Sequence, residues 1–499
     1  MTDKTSTVFG NPTSASVCAK ATKKKAGYLK KFGGDGALDA GGAPLVLSSV
    51  PNPVLYPALG VRNLVIAGST DAAATEPIDA ERGIVIGNIR MGYGHYRIAM
   101  AMASAIRHRG YTPYWFDLNG YSNTVSGRVV SHLNDLYSFG SRLSQKSALF
   151  NKFYWEPLNY EGFKKLSFNA TDQKVAELYA PLCAGLPRAM PFISTHGWPA
   201  QAALHAGMTN VVNAILDNWP MALHLAEGAL HTTQSPSSYL GYRLLREMRD
   251  DGQPASPMPA SDIRLAGHYV DHEIVSNLGA DCGARIKRIE SGASRRVLLS
   301  IGGAGAQLDF TIGLVRSIMP LVRDGKAALF LNFGDHAGVM QQFEASLRSS
   351  DPTYAALVTG HAGDWNEASA FAASALTGEV AGIHTFLNAD KYAAVYLTNL
   401  LMRACDVLVT KPSELAYYPV PKLMTRRIGG HERWGAIRAA ELGDGTYEVE
   451  SLPAASQALR LMLQEDDILR LQNDAILRNA SIGLYDGCYK VVDFALERR

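Results

Sequence analysis

The stretch NIRMGYGHYRIAMAMASAI (88–106) decides the fold, because it places two glycines and a histidine where a strand hands over to a helix. The apolar run RGIVIG (82–87) before it is typical of a strand that is buried on both faces. An interior helix glycine costs ~1 kcal/mol relative to alanine, so Gly92 and Gly94 indicate that a ligand approaches the backbone closely. Glycine also permits positive φ at such a turn, and a helix N-terminus attracts anions.

The same order of elements occurs a second time further along the chain. After the first loop, an apolar stripe that begins at Ile98 predicts a helix, and YTPYWFDL (111–118) predicts a strand parallel to the first. RRVLLSIGGAGAQLDFTIGLVRSIMPLV (295–322) repeats the strand, the glycine loop and the helix, and AALFLNFGDH (327–336) predicts the next strand. These repeats predict an α/β protein with two doubly wound domains in tandem.

Composition and periodicity divide the chain into four parts. Residues 1–80 are rich in Gly, Ala, Ser, Thr and Pro and predict a partly flexible extension, in which one apolar run predicts edge strands. A first Rossmann-like domain is predicted over 81–265 and a second over 266–465, joined by a polar linker within 248–273. Residues 466–499 predict one or two closing helices.

The composition excludes several classes of protein. The 499 residues exceed what one core supports, and 47% apolar with 19% charged residues are typical of a globular protein. A net charge of +2 gives no global attraction to nucleic acid, so no such partner is expected. Five scattered cysteines without a CxxC pair argue against disulfides and a cysteine zinc site, and indicate a cytoplasmic compartment. No membrane span, secretory signal or Asp/His metal cluster is expected.

One segment is strongly basic. CAKATKKKAGYLKKFGG (18–34) holds six lysines and no acidic residue. A solvated or disordered N-terminal arm is one interpretation. The other is attraction to an anionic membrane surface, which would give a peripheral membrane contact.

Three residues are candidates for proton transfer. His95 falls in the first turn of a helix, where the macrodipole disfavours the imidazolium and leaves a neutral general base. His196 in ISTHGWPAQAAL (193–204) and Asp217 in NAILDNWP (213–220) each follow an apolar run and are alternatives. For each of them, a buried polar residue with a purely structural role is the other interpretation.

A nicotinamide site is a further interpretation of the first loop. Asp117 ends the next predicted strand, where a ribose-binding acid would lie. However, Arg97 replaces the third glycine of G-x-G-x-x-G, and the second loop at 302–305 stays unexplained. Two glycine loops favour a nucleotide on one side of a cleft and an acceptor on the other.

Several motifs, in order along the chain, resemble the GT-B glycosyltransferases of family 28. GYGHYRIAMAMASAI (92–106) is similar to the glycine-glycine-histidine helix start of monogalactosyldiacylglycerol synthases, processive diacylglycerol glucosyltransferases and the peptidoglycan N-acetylglucosaminyltransferase. The histidine and aspartate segments above, the hinge LAGHYVD (265–271) and the second loop LLSIGGAGAQ (298–307) resemble later motifs of this family. The resemblance spans residues 82 to 445 and implies two facing Rossmann-like domains.

The segment DVLVTKPSELAYYPVPKLMTRRIGGHERWGAIRAAELGDG (406–445) resembles the family's donor-binding region. In the family a strand ends in Thr-Lys, a helix carries a glutamate, a proline opens the next strand, and a Gly-Gln-Glu turn starts a helix. The matching positions are Thr410, Lys411, Glu414, Pro421, Gly430, His431 and Glu432. Two departures stand out: Pro412 and Ser413 replace a glycine-rich loop, and His431 replaces the glutamine.

The resemblance implies a hexosyltransferase that moves a sugar, with inversion, from a nucleotide-diphosphate donor to an acceptor hydroxyl. A UDP-sugar is the expected co-substrate, no tightly bound cofactor is expected, and a lipid or small molecule is the implied acceptor. Residues 136–166 are implied to form an acceptor-facing or membrane-facing surface. The residues expected to bind the nucleotide sugar are Gly92, Gly94, Gly302, Gly303, Gly305, Lys411, Ser413, Glu414, Gly430, His431 and Glu432.

The implied roles have alternatives. Loop 302–305 and Lys411 are expected to stabilise the departing diphosphate, and Glu414 to accept hydrogen bonds from ribose hydroxyls. An exposed i, i+3 ion pair between Lys411 and Glu414 is the structural alternative, and helix capping is the alternative for His431 and Glu432. A catalytically silent nucleotide-binding protein and a nucleotide-sugar epimerase stay open as functions, because fold alone does not decide among them.

Overall fold

The computed structural model describes residues 4–34, 36–68, 75–301 and 307–499. Its strands are β1 (Thr7–Val8), β2 (Asn11–Pro12), β3 (Leu47–Pro51), β4 (Arg62–Ile66), β5 (Gly83–Asn88), β6 (Thr112–Asp117), β7 (Phe192–Ser194), β8 (Val211–Ala214), β9 (Leu230–Thr233), β10 (Ile263–Leu265), β11 (Arg295–Ser300), β12 (Ala327–Asn332), β13 (Val358–Ala362), β14 (Gly382–Leu387), β15 (Val407–Thr410) and β16 (Lys422–Met424). Its α-helices are α1 (Ala15–Phe32), α2 (Tyr56–Leu59), α3 (Gly94–His108), α4 (Val125–Lys146), α5 (Ala148–Phe150), α6 (Leu166–Ala176), α7 (Ala180–Cys183), α8 (Gly197–His205), α9 (Pro236–Arg243), α10 (His272–Val275), α11 (Leu278–Glu290), α12 (Leu308–Arg323), α13 (Ala337–Ser350), α14 (Tyr354–Leu357), α15 (Trp365–Ser374), α16 (Lys391–Ala404), α17 (Arg433–Leu442), α18 (Leu452–Gln464), α19 (Asp467–Ser481) and α20 (Gly487–Glu497).

Two sheets form the cores of two α/β domains. The first has the strand order β10-β9-β8-β7-β5-β6-β4-β3 and is parallel except for β3, which pairs antiparallel with β4. The second has the order β13-β14-β12-β11-β15-β16, and its strand pairs are parallel. The predicted pair of facing, doubly wound Rossmann-like domains is confirmed.

Each glycine loop follows a central strand at which the strand order reverses. β5 lies between β6 and β7, and all of its residues are buried. β11 lies between β12 and β15. In open parallel sheets, ligands bind outside the carboxyl ends of the strands at such reversal points. The fold therefore directs both strand ends toward one inter-domain region.

Helix α3 follows the first glycine loop and is buried on all sides. Every residue from His95 to Ile106 is buried, which confirms the predicted core stripe. α3 packs on β5 and β6 and also contacts α10, α16 and α20. The predicted amphipathic character is wrong, because second-domain and C-terminal helices cover the face that was expected to be polar. The many alanines of this helix permit that close packing.

The N-terminal segment is part of the first domain's architecture. β3 and β4 form an edge of the first sheet, as the apolar run before residue 81 predicted. α1 packs along α6, and Lys25 Nζ lies 2.5 Å from Glu177 Oε2. A disordered arm is therefore wrong for Ala15–Phe32, because the helix is held against α6, while most of its lysines are solvated as predicted.

The C-terminal helices connect the two domains. α18 and α19 pack on the second domain, and α20 crosses back to pack on α3, β7 and β8 of the first. The predicted closing helix is confirmed. Among the described residues, no helix combines the length and apolar character that a membrane span requires.

Candidate functional site

A cavity of about 270 Å³ lies between the two domains, outside the carboxyl ends of the central strands. It is lined from both sides by residues that the sequence singled out. They are Gly92, Gly94, His95, His196 and Asp217 of the first domain and Lys411, Ser413, Glu414 and His431 of the second. The structure thus brings the candidate catalytic residues and much of the candidate donor site together.

The remaining predicted residues do not line this cavity or fall elsewhere. Gly302, Gly303 and Gly305 lie outside the described residues. Gly430 lines a neighbouring groove, where a Cβ at this position would lie 3.1 Å from Tyr160 Cδ2. Glu432 reaches the cavity only through its ion pair with Lys411.

The two glycines of the first loop have different reasons. Gly92 has φ of +76°, a conformation that side-chain-bearing residues rarely adopt. At residue 94, a Cβ would lie 3.1 Å from Glu414 Oε2 of the second domain. The predicted close approach is therefore present in the structure, but the approaching group is a carboxylate of the protein itself.

His95 has the hydrogen bonding of a neutral base. Its Nδ1 lies 2.8 Å from the carbonyl oxygen of Thr195. Because a carbonyl oxygen only accepts, Nδ1 carries the proton and Nε2 keeps a free lone pair. Burial lowers the pKa of His95 to about 4, so the ring is neutral at pH 7. His95 lines the cavity and is suited to accept a proton there.

His196 has a structural role as the N-cap of α8. Its Nδ1 accepts a hydrogen bond of 3.1 Å from the backbone N–H of Trp198. The proton therefore lies on Nε2, which is buried without a hydrogen-bond partner among the described residues. Burial, reinforced by the neighbouring His95, lowers the pKa of His196 well below its usual value. Its side chain is thus a neutral donor beside the cavity rather than a base.

Asp217 is paired with a histidine that the sequence did not reveal. His224 Nε2 donates a 2.8 Å hydrogen bond to Asp217 Oδ2, and both residues line the cavity. Burial alone would raise the pKa of Asp217, but the bond and charge of His224 lower it to about 2. His224 lies in a short 3-10 turn, Ala222–His224, and no periodicity links it to Asp217. Sequence reasoning had no signal with which to find it.

Lys411 and Glu432 form the charged part of the second-domain wall. Lys411 Nζ is hydrogen-bonded to Glu432 Oε1, while Glu432 Oε2 accepts the backbone N–H of Ile428 at 2.8 Å. Burial would lower the pKa of Lys411, but Glu432 and Glu414 raise it. Glu432 thus caps the turn at Gly430–Glu432 and holds the Lys411 ammonium at the cavity.

Glu414 is bound from the opposite domain. Arg97 Nε lies 3.2 Å from Glu414 Oε1, and the two side chains are 1% and 11% exposed. Because Lys411 pairs with Glu432 instead, the alternative of an exposed Lys411–Glu414 pair is wrong. Arg97 stands at the third-glycine position of the nicotinamide motif, where its side chain enters the second domain.

Asp117 is committed to other contacts. Its Oδ2 accepts hydrogen bonds from Tyr96 Oη and from Lys391 Nζ, the latter at 3.3 Å. Its Oδ1 accepts the backbone N–H of Asn119 at 2.9 Å. These contacts leave no role for Asp117 as a ribose-binding acid, so the nicotinamide interpretation loses its main residue.

A second inter-domain contact closes the cleft beside the first loop. Arg90 Nη2 lies 2.5 Å from Asp335 Oδ2, and Tyr93 Oη donates to Asp335 Oδ1. The backbone N–H of Asp335 in turn donates to Tyr93 Oη at 3.0 Å. The first glycine loop is therefore fixed to the loop that follows β12. No cluster of three or more metal-ligating side chains occurs in residues 4–34, 36–68, 75–301 and 307–499.

The two halves of the chain match two family models. Residues 7–244 match the family described as Domain of unknown function (DUF6937). Each half has its own family. Residues 258–496 match the one described as Domain of unknown function (DUF6938). No curated protein matches the chain.

Solved structures similar to this chain include enzymes that act on nucleotide sugars by title. The UDP-GlcNAc 2-epimerase from Neisseria meningitidis, bound to UDP-GlcNAc, is 12% identical, with 83% of this chain and 100% of that chain covered and a TM-score of 0.42. A glycosyltransferase from Rickettsia africae is 11% identical, with coverage of 83% and 98% and a TM-score of 0.40. An α,α-trehalose-phosphate synthase (UDP-forming) from Burkholderia vietnamiensis is 13% identical, with coverage of 83% and 98% and a TM-score of 0.39.

Proposed function

We propose that this protein is a glycosyltransferase that moves a sugar from a nucleoside-diphosphate donor to an acceptor hydroxyl. One observation carries the proposal: a single inter-domain cavity is lined by the neutral base His95 on one wall and by Lys411, Ser413 and Glu414 on the other. A base and a cationic diphosphate site on opposite walls are what transfer between two substrates requires.

The proposed step balances as follows. The acceptor oxygen forms a bond to the anomeric carbon while the bond from that carbon to the diphosphate oxygen breaks. His95 Nε2 takes the acceptor proton, and the nucleoside diphosphate leaves with its electron pair. The Lys411 ammonium, oriented by Glu432, stabilises the negative charge that develops on the diphosphate.

Other cavity groups supply orientation. His196 Nε2–H and His431 Nδ1 are buried without hydrogen-bond partners among the described residues and lie beside the cavity. Buried polar atoms without partners are costly, so a bound substrate would satisfy them. Asp217, held ionised by His224, is placed to accept a substrate hydroxyl. A UDP-sugar is the donor that we propose, with Glu414 on its ribose.

The acceptor side borders an exposed apolar surface. Tyr137, Ser138 and Phe163 line the cavity, and the surrounding segment exposes large apolar side chains. They are Leu136, Phe139, Leu149, Phe153 and Tyr154, which are between 53% and 72% exposed. Beside them α1 presents its lysines, and its Tyr28 and Phe32 pack on His132 of α4. We therefore propose a lipid or small-molecule acceptor and a peripheral contact with an anionic membrane.

The proposal is tested first by thermal unfolding against UDP, GDP, ADP, dTDP, their sugar conjugates and NAD(P). A ligand at 100 times its Kd adds about 2.7 kcal/mol of stability. A shift with one nucleoside diphosphate and its sugar supports the proposal and names the donor. No shift with any nucleotide overturns it in favour of a silent scaffold, and a shift with NAD(P) alone overturns it in favour of a dehydrogenase.

A second measurement separates transfer from isomerisation. The donor found above is incubated with and without lipid and small-molecule acceptors, and the released nucleoside diphosphate and the sugar are analysed. Release that depends on an acceptor supports the transferase. A donor that is epimerised without any acceptor overturns it in favour of a nucleotide-sugar epimerase.

A further inference from the structure

Arg97 belongs to the first domain by sequence but to the second by its contacts. Its side chain is 1% exposed, although it lies in the first turns of α3. Its Nε lies 3.2 Å from Glu414 Oε1, and its Nη1 lies 3.3 Å from the carbonyl oxygen of Val395 and also bonds Asn399 Oδ1. All three of these partners lie in the second domain. A guanidinium this deeply buried requires such partners, because an unpaired buried charge is strongly destabilising.

This contact fixes the orientation of the Glu414 carboxylate. Arg97 binds Oε1, and Oε2 lies against Gly94 at the cavity, where only a glycine leaves it room. A carboxylate with one oxygen held by a rigid guanidinium presents its other oxygen in one direction. The oxygen that is left is the one available to a ligand hydroxyl.

The other end of Arg97 is held equally firmly. Asn399, which accepts from Arg97, donates through Nδ2 to Asp271 Oδ1 at 2.9 Å. Asp271 Oδ2 accepts from Tyr418 Oη at 2.9 Å. Asp271 follows β10 and precedes α10, where the chain passes from the first domain to the second. The guanidinium is therefore part of a buried network that ties α3 to this crossing point.

We propose that Arg97 is a positioning residue that aims Glu414 at the ribose of the donor nucleotide. This inference rests on the proposed function and adds two things to it. The donor is a ribonucleotide rather than a deoxyribonucleotide, and the ribose subsite of the second domain is complete only while the first domain supplies Arg97. Recognition of the ribose is thereby coupled to the contact between the domains.

The test measures a ratio of affinities by isothermal titration calorimetry. The probes are UDP, GDP and ADP, each compared with its 2′-deoxy and 3′-deoxy forms. The wild-type protein is expected to bind one of them at least about tenfold tighter than a deoxy form, which is the worth of one hydrogen bond to a charged group. In Arg97→Met and in Glu414→Gln this ratio is expected to fall to about one, with little change in the affinity for the deoxy form.

Arg90→Met is the matched control. It removes another arginine–carboxylate contact between the domains, at Asp335, without touching Glu414. It is expected to keep the wild-type ratio. If Arg90→Met also abolishes the ratio, the effect comes from a loosened interface and the inference is overturned. If Arg97→Met keeps the wild-type ratio, the inference is overturned as well.

The remaining outcomes are separable. A wild-type protein that binds a nucleoside diphosphate without discriminating the deoxy forms overturns this inference and leaves the proposed function standing. A wild-type protein that binds none of the probes overturns the proposed function, and this inference with it. If Arg97→Met does not fold, Arg97→Lys decides: its single ammonium cannot hold Glu414 and Asn399 together, so a ratio reduced at least about threefold is expected, and an unchanged ratio overturns the inference.

Discussion

The first-domain wall of the cavity is made of neutral histidines, whereas the second-domain wall is made of charged side chains in ion pairs. Burial lowers the pKa of His95 to about 4 and that of His196 well below its usual value. Against burial, Glu432 raises the pKa of Lys411, and Lys411 lowers that of Glu432. One wall can therefore exchange a proton at neutral pH, and the other can hold a fixed charge against a phosphate.

The two walls also differ in how they are assembled. The first-domain wall collects residues from the ends of β5, β7 and β8, which are far apart in the chain. The second-domain wall comes mostly from 409–431, one strand end and the turns that follow it. A locally encoded wall can be predicted from a short motif, and a wall assembled from separate strands depends on the packing of the whole sheet.

The largest expected effect breaks the first wall. His95→Ala is expected to lower turnover about 10²- to 10⁴-fold, because it removes the base, while donor affinity changes less than about threefold. Steady-state kinetics with the donor found by thermal unfolding, together with calorimetric titration of that donor, measure both quantities. Equal losses in turnover and donor affinity would contradict the assignment.

His231→Gln is the control for that variant. His231 is also buried, its pKa is also lowered by burial to about 4, and its Nδ1 also donates to a backbone carbonyl, at 3.1 Å. Its Nε2, however, accepts the backbone N–H of Ala226 at 3.0 Å, and the residue does not line the cavity. Turnover of folded His231→Gln is expected to match the wild type.

The next effect breaks the second wall. Lys411→Met is expected to weaken nucleoside-diphosphate binding about 10- to 100-fold, because a charge-assisted hydrogen bond to the diphosphate is lost. Lys391→Met is the control, since Lys391 is 28% exposed against 26% for Lys411 and pairs with Asp117 outside the cavity lining. Calorimetric titration with UDP and GDP measures the difference. Identical affinities in the two variants would place the diphosphate elsewhere.

The smallest effect sharpens the contrast through pH. His95 and His231 are neutral when folded, with pKa values of about 4 instead of the model-peptide value of 6.5. The unfolded chain therefore binds more protons below pH 6.5, and stability is lost as the pH falls toward 4. Each histidine is expected to remove about 2 kcal/mol from the free energy of unfolding between about pH 7.5 and pH 5.

Urea unfolding at both pH values measures this loss. His231→Gln removes one of the proton-binding groups, so its stability is expected to fall less between the two pH values than that of the wild type. A variant whose loss equals that of the wild type would show that His231 is already protonated in the folded protein.

Local sequence patterns were enough for much of the fold. The apolar runs and glycine turns at 83–94 and 295–301 predicted the two central strands, because burial on both faces and the start of a helix are encoded within a few residues. His95 and Lys411 were found for the same reason, since each follows such a strand directly. His196 also follows a strand, but its role as an N-cap depended on which ring nitrogen meets the backbone.

The tertiary structure alone decided how these residues are paired. His224 joins Asp217, Asp335 joins Arg90, and Glu414 meets Arg97 across 317 positions of the chain. The sequence determined two Rossmann-like domains with a base after one central strand and a lysine after another. Which carboxylate faces which cation is set by how the two domains pack, because a side-chain contact depends on distance in space, and periodicity reports only the few residues on either side.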